Sequence, residues 1–271
     1  MDQIENIRDD QFKKNVRRKS IRAFGWFFIF IALALIGWNW LLRQPEDGGA
    51  LRPLRKVMEA NSKIVESAVY SNKNLAPEYP KSSAASDVRV NGDVGMSDEY
   101  DTTEWNLQVV RNSGNSAIPP DTFSVTLEEI KKLPKTEVVF NFKCIEGWSQ
   151  ITWWAGVRYS DFAAAFKVGT KSGNAPDKNH PEDLFKYAGL YTPDREYYVG
   201  IDMASMLHPQ TILCYELNGN PLPNEQGAPL RLIIPVKYGV KHIKRIGTLY
   251  FSDTPPPDYW AEQGYDYYSG L

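Results

Sequence analysis

Only two cysteines, Cys144 and Cys214, and three histidines, His180, His208 and His242, occur among 271 residues. Two thiols cannot build a disulfide scaffold, although one bridge stays open if the chain is exported. HExxH and CxxC are missing, which removes the usual zinc sites. GxGxxG, the P-loop and GxSxG are missing too, so dinucleotide, nucleoside-triphosphate and serine-hydrolase chemistry lose their ordinary support. No CxxCH run is present to attach a haem. An excess of one charge is also lacking: 31 Lys and Arg stand against 33 Asp and Glu, a net charge of -2. No overall field draws a polyanion to the surface, and nucleic acid is not an expected partner. With 42% hydrophobic and 24% charged residues, and without repeats or low-complexity runs, the chain reads as globular.

Charge disappears altogether over residues 23–42. As a helix this run would extend about 30 Å, the hydrocarbon thickness of a bilayer. Lys13, Lys14, Arg17, Arg18, Lys19 and Arg22 precede it, and Trp38 and Trp40 sit at its far end like interfacial anchors. The expectation is a single transmembrane anchor over 23–42 behind a cytoplasmic basic segment over 1–22, with residues 43–271 outside. Arg17-Arg18-Lys19-Ser20-Ile21-Arg22 resembles a twin-arginine export signal, with Ser20 in place of the usual aromatic. No small-x-small cleavage site follows, so the segment is expected to stay attached. In a bacterial cell this places the chain in the inner membrane with its main domain in the periplasm.

Residues 43–88 read as a linker followed by an amphipathic helix. Leu54, Val57, Met58, Asn61, Ile64, Val65 and Ala68 recur at three- and four-residue steps, and the Ser/Ala/Pro-rich stretch over 71–87 reads as extended. From Arg89 onward strand signals dominate, over 105–110, 138–143, 197–201, 211–217, 230–236 and 243–251. Thr126-Leu127-Glu128-Glu129 carries a capping-box pattern that opens a short helix ended near Pro134. The fold class is therefore α+β, mainly β, with residues 89–271 as one domain. Val157 and Phe162 read as core.

Val138, Phe140 and Phe142 alternate, so Cys144 continues an apolar face and emerges where Glu146-Gly147-Trp148 breaks the strand. Spacing alone leaves this thiol open between a buried structural cysteine, half of a bridge to Cys214, and a reactive group. Downstream, Arg231 interrupts an apolar run, and Lys237, Lys241, His242, Lys244 and Arg245 follow around Gly239. Such a cluster suits a phosphate or another compact anion, or else is a solvated basic hairpin tip.

Two blocks carry a family resemblance. Phe142-Lys143-Cys144-Ile145-Glu146-Gly147-Trp148-Ser149 with Trp154-Ala155-Gly156-Val157 resembles the metal-ligand segment of molybdopterin-dependent oxidoreductases with the sulfite oxidase catalytic fold. Asn218-Gly219-Asn220-Pro221-Leu222-Pro223, Gly227-Ala228-Pro229-Leu230-Arg231 and the Lys237 to Lys244 stretch resemble that family's second, cofactor-gripping segment. The resemblance runs from about Arg89 to the C-terminus. It implies a sulfite oxidase-like molybdopterin-binding fold and a molybdenum-molybdopterin cofactor with one pterin, in the mononucleotide-free form. It implies Cys144 as the catalytic thiolate on molybdenum, a soft donor suited to that metal. It further implies Arg231, His242, Ile243 and Lys244 around the pterin or its phosphate, Thr192 and Gln226 at nearby pocket positions, and Arg89, Asn91 and Gly92 at the pocket's edge.

Sulfite oxidases proper follow the metal cysteine with arginines that bind sulfite, whereas this chain reads Ile-Glu-Gly-Trp-Ser-Gln over 145–150. That run is similar to the bacterial protein-methionine-sulfoxide reductase branch, and a neutral oxide suits it better than a dianion. Two-electron oxygen-atom transfer, in the direction of S-oxide or N-oxide reduction on a small-molecule or protein-bound substrate, is the implied activity. Electrons must then arrive from a membrane b-type cytochrome or quinol-oxidising subunit, and cofactor-loading and export machinery are transient partners. Oxidation of a small sulfur compound such as sulfite, and a cofactor-free binding module on a membrane stalk, are the alternatives. Trp148, Trp153 and Trp154 are candidates for a pocket entrance or the core, and the aromatics over 259–268 are expected to pack the last segment onto the domain.

Overall fold

The computed structural model describes residues 2–47, 50–69, 74–96, 101–111, 121–177 and 179–271. The chain divides into two compact units, Met1–Val57 and Met58–Leu271. In the first, helix α1 runs over Asp2–Leu42, so the basic segment and the uncharged run share one helix. Gln11–Leu42 is long and apolar enough to cross a membrane, and among the described residues it is the one helix that is. Its large side chains, Trp26, Phe30 and Trp38 among them, are exposed. A two-stranded ribbon, β1 (Glu46–Asp47) and β2 (Ala50–Leu51), follows, and the division between the units falls within the next element, the amphipathic helix α2 (Arg52–Val69).

The second unit carries, in chain order, β3 (Leu107–Arg111), β4 (Asp121–Val125), α3 (Leu127–Lys131), β5 (Lys135–Lys143), β6 (Ser149–Arg158), α4 (Tyr159–Phe166), β7 (Tyr187–Tyr191), β8 (Tyr198–Asp202), α5 (Met203–Met206), β9 (Ile212–Leu217), β10 (Asn220–Pro221), β11 (Arg231–Ile233), β12 (Thr248–Ser252) and α6 (Tyr259–Glu262). One sheet has the order β4-β3-β12-β7-β8, antiparallel except for the β3–β12 pair. The other runs β10-β9-β6-β5, with β11 also on β9. The expected α+β, mainly β, class holds. The capping box forms as read: Thr126 Oγ1 accepts from the Glu129 amide at 3.2 Å, and Glu129 Oε2 accepts from the Thr126 amide at 2.8 Å.

Alternation along β5, β9 and β11 explains how a cavity comes to lie against the second sheet. Leu213, Tyr215 and Leu232 belong to the larger core, together with Leu107, Leu190 and Phe251 of the first sheet. Ile212, Cys214 and Ile233 point the other way, into a smaller core with Val138, Phe140, Phe142 and Trp154. A sheet buried on both faces shows continuous apolar runs, which is how β9 and β11 read in the sequence. Each large side chain so buried contributes about 1.5–3 kcal/mol relative to exposure. A β-bulge at Ala155/Gly156 lets β6 follow β9, and a Cβ on Gly156 would lie 2.0 Å from the Leu213 carbonyl oxygen, so only glycine fits there.

Several expectations shift. The strand expected over 230–236 is confined to Arg231–Ile233, since Pro235 has no amide to donate. That over 243–251 begins only at Thr248, because Arg245 at φ 45° turns the chain through the left-handed region. Strands β4, β6 and β7 and helix α4 had no counterpart in the sequence reading. Val157 and Phe162 are fully buried, as expected.

Candidate active site

A cavity of about 340 Å³ opens beside the second sheet, lined by residues from six separate stretches of the chain. Cys144 stands in its wall at the end of β5, only 3% exposed. The turn that places it is closed by the Cys144 amide donating to the Trp148 carbonyl at 2.9 Å and the Gly147 amide donating to the Cys144 carbonyl at 3.1 Å, with Gly147 at φ 93°. Asn91 Nδ2 donates to Cys144 Sγ at 3.2 Å. Burial pushes the Cys144 thiol up, while Arg89 pulls weakly the other way. Both cysteines are free. Cys214 lies in the smaller core and its thiol donates to the Glu216 carbonyl at 3.2 Å, so a Cys144–Cys214 bridge is not formed.

Arg231 enters from β11, 3% exposed, with its guanidinium 4.6 Å over the Trp154 ring. Nη1 donates to Gln226 O at 2.9 Å and Gln226 Oε1 at 3.0 Å, and Nη2 donates to His242 O at 3.2 Å. These acceptors are all neutral. Among the described residues no carboxylate pairs with Arg231, and its Nε has no partner. Burial lowers its pKa to about 10. His242 Nε2 donates to Ile234 O at 2.8 Å, which leaves Nδ1 as an acceptor, and that buried atom is likewise without a partner. Burial first, then the charge on Arg231, pulls His242 down to about 3. Lys244 Nζ donates to Gly92 O at 2.8 Å; burial, then Arg231, lowers it to about 8.

The cavity's edge, residues 87–92, hangs on side chains rather than on a sheet. Gln226 Nε2 donates to Val88 O at 3.0 Å, Gln150 Oε1 accepts from the Arg89 amide at 3.0 Å, and Gln150 Nε2 donates to Asp87 O at 2.8 Å. This brings Arg89, Asn91 and Gly92 into the lining with Cys144, Gln226, Arg231, His242 and Lys244. Two of the residues singled out from the sequence lie elsewhere. Thr192 is buried outside the lining, its hydroxyl accepting from the Tyr197 amide at 3.1 Å, where it ties the β7–β8 turn. Ile243 is a fully buried member of the larger core. Arg245 also leaves the anion cluster: Nε donates to Ala228 O at 3.1 Å and Nη2 to Asn224 Oδ1 at 2.5 Å.

Aromatic rings cover much of the remaining wall. Trp148 stacks on Phe142 at 5.8 Å, and Trp154 lines the cavity deeper in, whereas Trp153 lies outside it under the Lys81 ammonium. Tyr197, Trp260 and Tyr265 line it as well. The sequence reading gave Trp260 and Tyr265 to packing of the C-terminal segment and did not single out Tyr197; the aromatic density over 259–268 was the one available signal. Among the described residues no group of three His, Cys, Asp or Glu side chains gathers to hold a metal alone. A lone thiol that shares a cavity with an uncompensated guanidinium instead suits a metal that arrives with its own ligands and a negative charge.

Residues 93–260 match the family described as the oxidoreductase molybdopterin binding domain. A putative protein-methionine-sulfoxide reductase subunit, YedZ1, of Azospira oryzae is 32% identical over 79% of this chain and 74% of its own. The protein-methionine-sulfoxide reductase catalytic subunit MsrP of Xanthomonas axonopodis pv. citri is 31% identical over 58% of this chain, and that of Ralstonia nicotianae 31% over 56%. The chain spans about half the length of these two MsrP relatives, 48% and 51%. The sulfane dehydrogenase SoxCD of Paracoccus pantotrophus superposes with a TM-score of 0.44 at 18% identity, over 58% of this chain and 40% of that one. The match over 93–260, which takes in Cys144, Arg231 and His242, makes this chain a member of the molybdopterin-binding oxidoreductase family and an enzyme of that kind.

Proposed function

We propose that this is a membrane-anchored, extracytoplasmic molybdenum oxidoreductase that reduces an S-oxide or N-oxide by two-electron oxygen-atom transfer. The observation that carries the reading is Arg231, a buried guanidinium without a carboxylate, in the same cavity as the free thiol of Cys144. Leaving such a charge uncompensated is costly unless an anion joins it. In this reading Arg231, Lys244 and the empty acceptor of His242 grip the pterin and its phosphate, with one pterin in the mononucleotide-free form, and Arg89, Asn91, Gly92 and Gln226 complete the cradle. Cys144 Sγ is the protein's ligand to molybdenum. The bound group supplies the two-electron redox chemistry. Asn91, donating to Sγ, favours the thiolate over the thiol that burial alone would hold.

For the substrate, the wall near Cys144 matters most. The sequence reading found no cation in the run after Cys144, yet Arg89 comes there from another segment, 4.7 Å over the Trp148 ring. Glu146 Oε2 accepts from Trp148 Nε1 at 3.1 Å on the same side chain, so the entrance carries one charge of each sign. A neutral, polarised oxide flanked by apolar groups suits such a wall better than a dianion.

The rest of the reading concerns the membrane. The 11–42 helix serves as the anchor, its basic end in the cytoplasm, and Arg17-Arg18 directs export of the folded, loaded protein. A b-type cytochrome or quinol-oxidising membrane subunit returns the electrons. Full-length protein, exported natively and extracted in detergent, should contain stoichiometric molybdenum and pterin. Cys144→Ser should lose the thiolate-to-metal absorption band, and dithionite-reduced wild type should be reoxidised by methyl sulfoxides. Folded protein free of molybdenum despite intact loading machinery would overturn the reading, and turnover of sulfite alone would move it to sulfur oxidation.

A further inference from the structure

The two walls of the cavity are joined by a buried ion pair that contacts neither the thiol nor the Arg231 cluster. Lys241 Nζ donates to Asp258 Oδ2 at 2.5 Å, with side-chain exposures of 1% and 3%. Lys241 ends the turn Gly239–Lys241, whose Gly239 and Val240 line the cavity and which leads directly into His242. Asp258 precedes α6 and caps it, Oδ1 accepting from the Ala261 amide at 3.0 Å. That helix carries Trp260, and Tyr265 follows, its amide donating to Trp260 O at 3.0 Å and its ring meeting the Trp260 ring edge-on at 5.1 Å.

A third element is tied into the same pair. Asp258 Oδ2 accepts from the Gly200 amide at 3.1 Å and Lys241 Nζ donates to Gly200 O at 3.1 Å, so the outer edge of β8 is held through both backbone groups of one residue. The approach is close: a Cβ on Gly200 would lie 1.9 Å from the Tyr267 hydroxyl, which donates to Pro256 O at 3.0 Å. Tyr267 in turn lies beneath Lys241, 4.5 Å from Nζ to ring centroid. On the far side Tyr197 donates from its hydroxyl to Val240 O at 2.7 Å. Apolar residues of like volume would fill this space at no less stability, since desolvating two charges offsets their attraction. What an ion pair with fixed hydrogen bonds adds is a single geometry between the parts it joins.

We propose that Lys241 and Asp258 are positioning residues for substrate selection. They hold the Trp260–Tyr265 wall at a set distance from the turn that precedes His242, so that the wall grips the apolar substituent of an S-oxide. The inference rests on the S-oxide reading above. The pair acts through Trp260 and touches neither substrate nor cofactor.

The test uses the full-length, molybdenum-loaded enzyme with two probes: dimethyl sulfoxide, too small to need the wall, and methyl phenyl sulfoxide, whose ring would meet it. Asp258→Asn should keep the wild-type molybdenum content and the kcat on both probes. It should raise KM for methyl phenyl sulfoxide roughly fivefold to tenfold, the worth of one well-placed aromatic contact, and leave KM for dimethyl sulfoxide unchanged. Trp260→Ala should raise the same KM, and Asp258→Asn should add nothing further in that background, because residues acting as a unit are not additive. If Asp258→Asn does not fold, Lys241→Met with Asp258→Leu removes both charges together and is read the same way. Equal KM changes on both probes, or additive effects in the double variant, would overturn the proposal. Wild type that holds molybdenum but reduces neither probe would overturn the S-oxide reading instead.

Discussion

Two buried bases in one stretch of chain differ in what surrounds them. Lys237 donates to Tyr268 O at 2.8 Å and pairs with Asp202 at 2.9 Å, the two side chains being 2% and 12% exposed. Arg231, six residues earlier in the sequence and equally buried, meets carbonyl oxygens and the Trp154 ring but, among the described residues, no carboxylate. The first is a closed account of charge, a fastening for the C-terminal segment. The second is open, and openness at a buried cation marks a place meant for an anion. Asp202 makes the contrast plain: burial pushes its carboxyl up, yet Lys237 and the Ser205 amide outweigh that and hold it below the ordinary value.

Breaking the closed pair should have the largest effect. Lys237→Met leaves Asp202 buried without its cation, and about 3–5 kcal/mol of stability should be lost, visible as a lowered urea midpoint. Lys237→Met with Asp202→Ser removes both charges and keeps an N-cap for α5, so most of the loss should return. If the double variant is as unstable as the single one, the pair is not what holds this region.

At Arg231 the sign should reverse. Arg231→Met removes an uncompensated charge, so protein produced without molybdate should gain stability, by about 1–4 kcal/mol where packing is kept. The loaded enzyme should hold its cofactor roughly tenfold to a hundredfold less tightly, the worth of charge-assisted hydrogen bonds to an anion. Thermal midpoints without molybdate and pterin retention after dialysis measure the two effects separately. A variant less stable in both forms would place Arg231 with Lys237 as a structural base.

How far these features could be read beforehand follows from what each depends on. β9 and β11 were legible because a sheet buried on both faces needs unbroken apolar runs, and Cys144 because the alternation of Val138, Phe140 and Phe142 ends on it. The ten-residue strand β6 was not, since its three-dimensional partners β5 and β9 decide it and its Trp pair is equally at home in a wall or a core. The basic cluster was visible as a cluster. The resemblance picked Arg231, His242 and Lys244 out of it, and these line the cavity, but the fastening roles of Lys237, Lys241 and Arg245 were not visible, because the deciding partners, Asp202, Asp258 and Asn224, come from distant segments. Tyr197, Trp260 and Tyr265 reach the cavity the same way, from a turn without a local signal and a C-terminal segment whose aromatic density reads equally as packing.

The effect smallest per step of the variable changed lies on pH and concerns His242, whose burial beside Arg231 holds it neutral, down to about 3. In the unfolded chain an imidazole takes up its proton near pH 6.5. Between these values the unfolded state binds a proton that the folded state does not, so stability rises with pH across the window and is lost as pH falls from about 6.5 towards 3. The slope from this one group should approach about 1.4 kcal/mol per pH unit in protein produced without molybdate. His242→Gln, which can still donate to Ile234 O, should flatten the pH dependence of the urea midpoint by about that amount while leaving the contribution of the carboxylates in place. An unchanged slope would mean that His242 is protonated in the folded state, in which case its Nδ1 is a donor and Arg231 does not stand alone as the cavity's buried cation.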